Sequence, residues 1–259
     1  MMTTVRPTTI TLGDKDVPRI GLGTNRLTES PEHLEFVRDA ATAGIGVIDT
    51  AHTYTGGESE STIGGALSAA PADCVVATKG GYAPGTGRPD ALRGQIEESQ
   101  RRLRTDRIEL YYLHRIHPDT PVEDTLGAVK EHVDAGRIGH VGLSQVDVEM
   151  IERARRLLPI AAVQNHYNLS ERRYDDVIDH CEREGIVFLP YFPLQGTVQA
   201  LDRVAEAHDA TPAQIRLAWL LQRSPVMLPI PGTLALEHVR ENLAALDIEL
   251  TDQEFEAVA

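Results

Sequence analysis

The sequence predicts a single α/β domain, a closed (β/α)8 TIM barrel with a short N-terminal β-hairpin, and three observations favour this fold. Short β-branched, apolar runs alternate eight times with longer amphipathic stretches. No linker or low-complexity break divides residues 1–259. Barrels of this kind commonly run to about 250 residues as one unit. Eight successive repeats favour closure into a barrel over an open doubly wound sheet.

The predicted strands begin after an N-terminal hairpin. Residues 8–12 and 17–18 lie on either side of Gly13-Asp14 and are expected to form that hairpin, which would plug one end of the barrel. Each later strand is a short apolar run, as expected for parallel strands that are buried on both faces. The eight strands are predicted at residues 19–23, 46–49, 74–79, 108–114, 138–142, 161–164, 186–191 and 226–231.

The predicted helices have marked starts and ends. They cover residues 31–43, 58–69, 90–103, 121–135, 147–157, 171–184, 211–222 and 235–246. Three hydroxyl residues stand directly before a proline, the arrangement of an N-cap followed by the first helical position, and these are Ser30, Thr120 and Thr211. Three glycines follow helical runs, where a left-handed C-cap is common, and these are Gly44, Gly136 and Gly185.

Composition excludes several classes of function. The net charge of -14, without any run of Lys and Arg, disfavours nucleic acid and anionic membranes as partners. No segment approaches the roughly 18 apolar residues that cross a bilayer. The first residues, MMTTVRPTTITLGDKD, lack the pattern of a secretory signal, so a cytoplasmic location is expected. Cys74 and Cys181 stand alone in sequence, which predicts buried thiols and neither a disulfide framework nor a zinc site.

Two familiar nucleotide-binding motifs are missing, and a metal site is not predicted. The segment GLGTNR at 21–26 has Arg26 where a dinucleotide fingerprint needs its third glycine, and no GxxxxGK[ST] loop occurs. His114 and His117 are three residues apart at a strand end, where that spacing does not give the shared face that it gives on a helix.

Ionisable residues end three successive predicted strands. Asp49, Lys79 and His114 hold these positions, and Tyr54 follows Asp49 by five residues. Each alone has a structural explanation, such as a loop cap or packing. The set is harder to explain in that way, because burying Asp and Lys at strand ends is costly unless they pair. Since barrel active sites lie at the carboxyl ends of the strands, we expect the four to share one catalytic mouth.

Together these side chains make a metal-free acid catalyst. A phenol has an ordinary pKa of about 10, and a neighbouring ammonium is expected to lower it, so that Lys79 would make Tyr54 a usable proton donor. Asp49 would hold Lys79 charged and in place. His114 would orient a carbonyl oxygen and stabilise the charge that develops on it. The hydride for such a reaction must come from a cofactor.

From end to end the chain resembles the aldo-keto reductase family. GIGVIDTAHTYTGGESESTIGGAL resembles the family's segment that carries Asp and Tyr, VVATK supplies its Lys, and YYLHRIHPD its His. Further similar segments are GLSQ at 142–145, VQNHYN at 163–168, LPYFPLQG at 189–196 and IPGTLALEHVRENLAAL at 230–246. The chain ends at Ala259, where many members continue into a long C-terminal loop, so an open pocket with broad specificity is expected.

The resemblance also implies a set of cofactor contacts. Ser144 and Gln164 would bind the nicotinamide carboxamide, Tyr191 would stack on its ring, and Thr24 would lie near a ribose. The adenosine end would contact Gly232, Thr233, His238, Glu241 and Asn242. Gly232 and His238 stand where many relatives have Lys and Arg, and Gln145 replaces a usual Asn. NADP is nevertheless the favoured cofactor, because the IPGT variant is familiar among members that use it, and NAD stays open.

The resulting interpretation is an NADPH-dependent reductase of small aldehydes or ketones, reversible, with Tyr54 as general acid. Its bacterial IPGT-type relatives include pyridoxal reductase-like enzymes.

One alternative is a regulatory barrel subunit that binds the cofactor, as potassium-channel β subunits do; the complete set of four residues and the lack of an extra N-terminal segment favour catalysis. Another is an isomerase or aldolase in which Lys79 forms a Schiff base, which would leave Tyr54 and the IPGT segment unexplained.

Overall fold

A computed structural model describes residues 6–69 and 73–259 of the chain. It begins with the predicted hairpin, in which β1 (Thr9–Leu12) pairs antiparallel with β2 (Lys15–Pro18) around Gly13, whose φ of 66° suits a tight turn. Leu12 and Val17 are buried in one cluster with the first residues of several barrel strands. The hairpin therefore plugs the amino-terminal end of the barrel, as predicted.

Parallel strands follow in sequence order around the barrel. They are β3 (Leu22–Gly23), β4 (Val47–Asp49), β5 (Val75–Gly80), β6 (Ile108–Leu113), β7 (Ile138–Ser144), β8 (Ala162–Gln164) and β9 (Val187–Phe188). Gly23 pairs with Asp49, Asp49 with Ala77, and Ser144 with Gln164. This register brings the strand ends, and the polar residues on them, to the same edge of the sheet.

The predicted eighth strand at 226–231 closes the barrel without being a regular strand. Toward β9, Leu228 N donates to Phe188 O at 2.9 Å. Toward β3, Gly21 N donates to Pro229 O at 2.9 Å and Gly23 N to Pro231 O at 3.1 Å. Because Pro229 and Pro231 have no N–H, the ladder on the β3 side is missing every donor from this segment. The fold class, a (β/α)8 barrel, is confirmed.

Helices surround the sheet at nearly the predicted places. They are α1 (Pro31–Thr42), α2 (Glu58–Ala69), α3 (Pro89–Leu103), α4 (Val122–Asp134), α5 (Val148–Arg155), α6 (Asp175–Glu184), α7 (Leu201–Ala207), α8 (Pro212–Arg223), α9 (Leu236–Ala244) and α10 (Asp252–Val258). The sequence did not predict α7 and α10, since two turns are too short to display a 3.6-residue period. Helix α6 begins four residues later than predicted because residues before it pair across a turn, Asn168 with Glu171.

Most of the predicted helix ends are confirmed. Ser30 Oγ accepts from His33 N at 3.2 Å, and Thr211 forms a capping box with Gln214. The three glycines that follow helices have φ values of 97° at Gly44, 72° at Gly136 and 67° at Gly185. The prediction for Thr120 is wrong: Pro121 is itself the N-cap, because its extended ψ of 134° delays the helix by one residue.

The interior contains one fully buried arginine at the base of the barrel. Arg19 is 0% exposed, and its guanidinium donates to four backbone carbonyls, those of Pro7, Leu221, Ser224 and Met227. These bonds satisfy four of its five N–H donors and tie the segment before β3 to the end of α8 and to the closing segment. Trp219 is core packing, as predicted, and stacks between Tyr167 and Phe255. Both cysteines are buried and free.

Membrane-spanning helices and metal-binding clusters are both absent from residues 6–69 and 73–259. None of the helices there has the length and apolar character needed to cross a membrane. Within the same ranges, no three His, Cys, Asp or Glu side chains are grouped so that they could hold a metal ion.

Candidate active site

The carboxyl ends of the strands bring Asp49, Tyr54, Lys79 and His114 together. Asp49 ends β4, Lys79 is the penultimate residue of β5, and His114 directly follows β6. Lys79 Nζ lies 2.7 Å from Asp49 Oδ2, 2.8 Å from the Thr50 carbonyl and 3.3 Å from Tyr54 Oη, and it donates to all three. It also lies 4.8 Å from the centroid of the Tyr54 ring. The ammonium and the phenol are therefore in direct contact.

The Lys79–Asp49 pair is buried and fully hydrogen-bonded. Lys79 is 1% and Asp49 2% exposed. Gln164 Nε2 donates to the second carboxylate oxygen of Asp49 at 2.8 Å. Burial opposes the charge on Lys79, but the carboxylate of Asp49 and the oxygen of Tyr54 outweigh it and raise the pKa of Lys79. Lys79 is thus an ammonium at neutral pH, which makes it a poor nucleophile and disfavours the Schiff-base alternative.

A hydrogen-bonded support that the sequence did not indicate holds the loop of Tyr54. This loop is a short 3₁₀ turn (Tyr54–Gly57), and a Cβ added at Gly57 would overlap the guanidinium of Arg102. Arg102 donates to the His52 carbonyl at 3.0 Å and to Glu60 at 3.3 Å. Glu60 is 0% exposed, so its charge needs this partner. The network fixes the backbone on both sides of Tyr54.

The expected lowering of the Tyr54 pKa is wrong. Burial raises the pKa of this phenol above its ordinary value of 10.0, and the charge of Lys79 offsets the rise only in part. The reason is that the ammonium is already paired with Asp49, whose own negative charge acts in the opposite direction. Tyr54 is accordingly a protonated phenol at neutral pH, held next to a cation that reduces the cost of forming its phenolate.

His114 is a neutral imidazole at the wall of the site. Its ring centroid is 6.0 Å from that of Tyr54 in an edge-on arrangement and 4.7 Å from that of Tyr82. Burial, together with the charges of Lys79 and Arg115, lowers the pKa of His114 to about 2. Its buried Nδ1 has no hydrogen-bond partner in the described part of the chain. A neutral ring beside the phenol is suited to a hydrogen bond with a carbonyl oxygen.

The low pKa of His114 predicts a stability that depends on pH. As pH falls below about 6.5, the unfolded chain takes up a proton at this histidine while the folded protein does not, so stability falls. Because of His114, we expect the free energy of unfolding to fall by about 1.4 kcal/mol for each unit by which the pH is lowered between pH 6 and 4. Urea denaturation should therefore give a shallower pH dependence for His114→Asn than for the unsubstituted protein. A slope unchanged in that variant, or changed as much by substitution of the half-buried His117 with Asn, contradicts the prediction.

Three of the four residues line a cavity of about 310 Å³, and Lys79 lies buried behind them. Asp49, Tyr54 and His114 line it, and other predicted residues do so as well, namely Thr24, Ser144, Gln164, Tyr191 and Gly232. The structure adds residues that were not among the predicted contacts, namely Gly23, Asn25, Tyr82, Arg115, Phe192, Pro193 and Ile230. Most of these lie on loops after strands.

A second cavity, of about 260 Å³, shares the lining residue Gly232 with the first. It is lined by Gly232 and the four other residues that the resemblance assigns to the adenosine end, Thr233, His238, Glu241 and Asn242. Thr233 Oγ1 accepts from Ala235 N at 3.0 Å and lies 3.2 Å from His238 Nδ1. The structure thus places the thirteen predicted site residues in two groups, one at each cavity, and Gly232 belongs to both linings.

Two predicted contacts have internal partners that limit their roles. Thr24 Oγ1 donates to the Asp49 carbonyl at 2.8 Å and lies 2.8 Å from Ser59 Oγ, so its hydroxyl positions β4. Tyr191 stacks on His166 with ring centroids 5.2 Å apart, so one face of its ring is covered. Gln145, with φ of 58°, holds a left-handed conformation that favours Asn over Gln.

Comparison with known proteins defines the class to which this barrel and its site belong. The model of the aldo/keto reductase family matches residues 19–200 and 195–259, and the chain belongs to this family. It is therefore an oxidoreductase that acts on carbonyl groups. An uncharacterized oxidoreductase of Schizosaccharomyces pombe is 37% identical over 95% of this chain and 87% of its own length. Pyridoxine 4-dehydrogenase of Escherichia coli is 32% identical over 95% of both chains.

Solved structures of the family superpose along nearly the whole chain. The thermostable aldo-keto reductase Tm1743, in complex with the inhibitor epalrestat, has a TM-score of 0.89 and 32% identity, covering 96% of this chain and 98% of its own. An aldo/keto reductase from Klebsiella pneumoniae, in complex with NADP and acetate, has a TM-score of 0.87 and 32% identity, covering 97% and 94%.

Proposed function

We propose that the protein reduces aldehydes or ketones to alcohols, reversibly and with NADPH, and that Tyr54 supplies the proton. The observation that carries this proposal is the 3.3 Å contact between Lys79 Nζ and Tyr54 Oη at the wall of the larger cavity. A protonated phenol beside an ammonium is a proton donor whose conjugate base is stabilised as it forms.

The two cavities that share Gly232 are where a dinucleotide would bind. Gln164 points its amide nitrogen at Asp49, which leaves Oε1 as an acceptor for the nicotinamide carboxamide, and Ser144 offers a hydroxyl next to it. The uncovered face of Tyr191 is available for stacking. Thr233, His238 and Asn242 would hold the adenosine end, where the first backbone N–H groups of α9 favour phosphate. The bound cofactor supplies hydride, and the Klebsiella pneumoniae relative with NADP favours NADP over NAD.

The chain's own residues account for the proton transfer. The carbonyl oxygen would lie between Tyr54 Oη and the neutral imidazole of His114, whose rings stand edge to face. As negative charge grows on that oxygen, the phenol donates its proton, and Lys79 stabilises the phenolate that results. Asp49 keeps Lys79 charged throughout, and Gln164 keeps Asp49 in place.

NADPH binding followed by turnover tests the proposal. Fluorescence titration of the purified protein with NADPH is expected to give saturable binding, and absorbance at the cofactor band should then fall when an aldehyde is added. The aldehyde panel includes pyridoxal, because a relative is named pyridoxine 4-dehydrogenase. Absence of NADPH binding rejects the proposal. Binding with slow turnover that is insensitive to Tyr54→Phe, together with a co-purifying protein, favours the regulatory alternative.

A further inference from the structure

We propose, on the basis of the function above, that Arg115 makes the site select aryl carbonyl substrates that carry a carboxylate or phosphate group. Arg115 follows His114 and lines the catalytic cavity. Among residues 6–69 and 73–259, no carboxylate lies within 4.0 Å of its guanidinium, which donates to the neighbouring carbonyl of His114 at 3.1 Å and also faces the phenol of Tyr191. The chain has 39 acidic and 25 basic residues, yet none of the described acidic side chains neutralises this arginine at the cavity.

The charges around the cavity leave Arg115 as an excess cation. The charged side chains of its lining are Asp49 and Arg115. Asp49 is neutralised by Lys79 at 2.7 Å, whereas Arg115 has no such partner. The positive charge of Arg115 acts on the reacting groups: it helps to lower the pKa of His114 and opposes the rise in the pKa of Tyr54. A partly buried cation that faces a cavity attracts an anionic group on whatever fills that cavity.

Aromatic side chains form the rest of the mouth. Tyr82 and Phe192 are 48% and 49% exposed, which is unusual for large apolar residues, and both line the cavity. Tyr82 follows β5 and Phe192 follows β9, four strands apart in a barrel of eight, so the two rings stand on opposite sides of the mouth. Phe192 is held at φ of 52°, a costly conformation for this residue. The Arg115 guanidinium lies 5.9 Å from the Tyr82 ring.

These features define the substrate class. A flat aryl ring fits between Tyr82 and Phe192, its carbonyl directed to Tyr54 and its acidic substituent to Arg115. In the reaction, the carbonyl carbon accepts a hydride with its two electrons from NADPH, and the carbonyl oxygen accepts the proton of Tyr54. The products are the aryl alcohol and NADP⁺, and the phenolate regains a proton from water. Arg115 takes no part in bond changes; it determines specificity.

A matched pair of substrates tests this assignment. The probes are 4-formylbenzoate and its methyl ester, which share the ring and the aldehyde but differ in charge. We expect the unsubstituted protein to prefer the carboxylate in kcat/KM, and added salt to weaken that preference. Arg115→Gln should lower kcat/KM for 4-formylbenzoate by about 10- to 100-fold and for the ester by less than about threefold. Arg115→Lys should recover part of the loss, and Arg88→Gln, at an exposed arginine outside the cavity, should change neither value.

The outcomes separate failure of this inference from failure of the proposed function. If neither aldehyde is reduced by the unsubstituted protein, the proposed function fails. If both are reduced but the carboxylate is not preferred, or if Arg115→Gln lowers both values equally, the role of Arg115 is wrong. The Kd of NADPH for Arg115→Gln, measured by fluorescence, should stay within about twofold of the original value; a large increase would assign Arg115 to the cofactor and overturn the inference.

Discussion

Replacing Tyr54 by Phe is expected to lower kcat for aldehyde reduction by about 10²- to 10⁴-fold, the usual contribution of a positioned general acid. Phe keeps the ring that lies 4.8 Å from Lys79 Nζ and removes only the hydroxyl, so the fold and the cofactor site should be retained. Steady-state kinetics with a reactive aldehyde gives kcat, and fluorescence titration gives the Kd of NADPH. Tyr167→Phe is the matched control, because its hydroxyl bonds Asp175 in the outer layer. Equal activity of both variants contradicts the assignment.

The same residue predicts the pH profile of the reduction. Because the pKa of Tyr54 is raised above 10.0, its acid form persists through neutral and mildly alkaline pH. Activity should therefore stay level from about pH 6 to 9 and fall only as pH rises through the pKa of the phenol. A fall centred near pH 7 that disappears in Tyr54→Phe would mean that Lys79 dominates over burial, contrary to the structure.

Much of the catalytic group could be predicted from the sequence because parallel strands impose a simple rule. Residues that end neighbouring strands meet at one edge, so Asp49, Lys79 and His114 could be brought together from their positions alone. The pairing of Asp49 with Lys79 followed from the cost of burying either charge by itself. The direction in which the pKa of Tyr54 shifts could not be predicted from the sequence. It depends on the balance between desolvation of the phenol and the charge of a cation that is already paired.

The features of the site and of the barrel that could not be predicted from the sequence depend on tertiary contacts. Phe192 owes its place at the mouth to a left-handed backbone conformation that no residue pattern signals. Arg102 supports the Tyr54 loop from α3, a helix whose amphipathic pattern only predicts that such an arginine faces outward. The closing segment was predicted as a strand from its apolar residues, whereas its prolines determine which hydrogen bonds it can form.

Replacing Lys79 by Met is expected to have the largest effect on stability. It leaves the carboxylate of Asp49, 2% exposed, without its counter-charge inside the barrel. Removing one partner of a buried ion pair costs about 3–5 kcal/mol, which urea denaturation measures as a fall in the free energy of unfolding. Lys130→Met is the control among the chain's three lysines, because Lys130 pairs with Asp134 on an exposed helix face and should change stability little.

A double substitution then separates the structural role of Lys79 from its catalytic role. In Asp49→Asn with Lys79→Met no charge is left unpaired, and Gln164 can still bond the new amide, so most of the lost stability should return. Activity should not return, because the phenolate of Tyr54 would still lack the ammonium 3.3 Å away. The coupling free energy of the cycle measures the buried pair directly. Additive losses of stability would show that the two charges are not paired, and recovered turnover would show that Tyr54 needs no neighbouring cation.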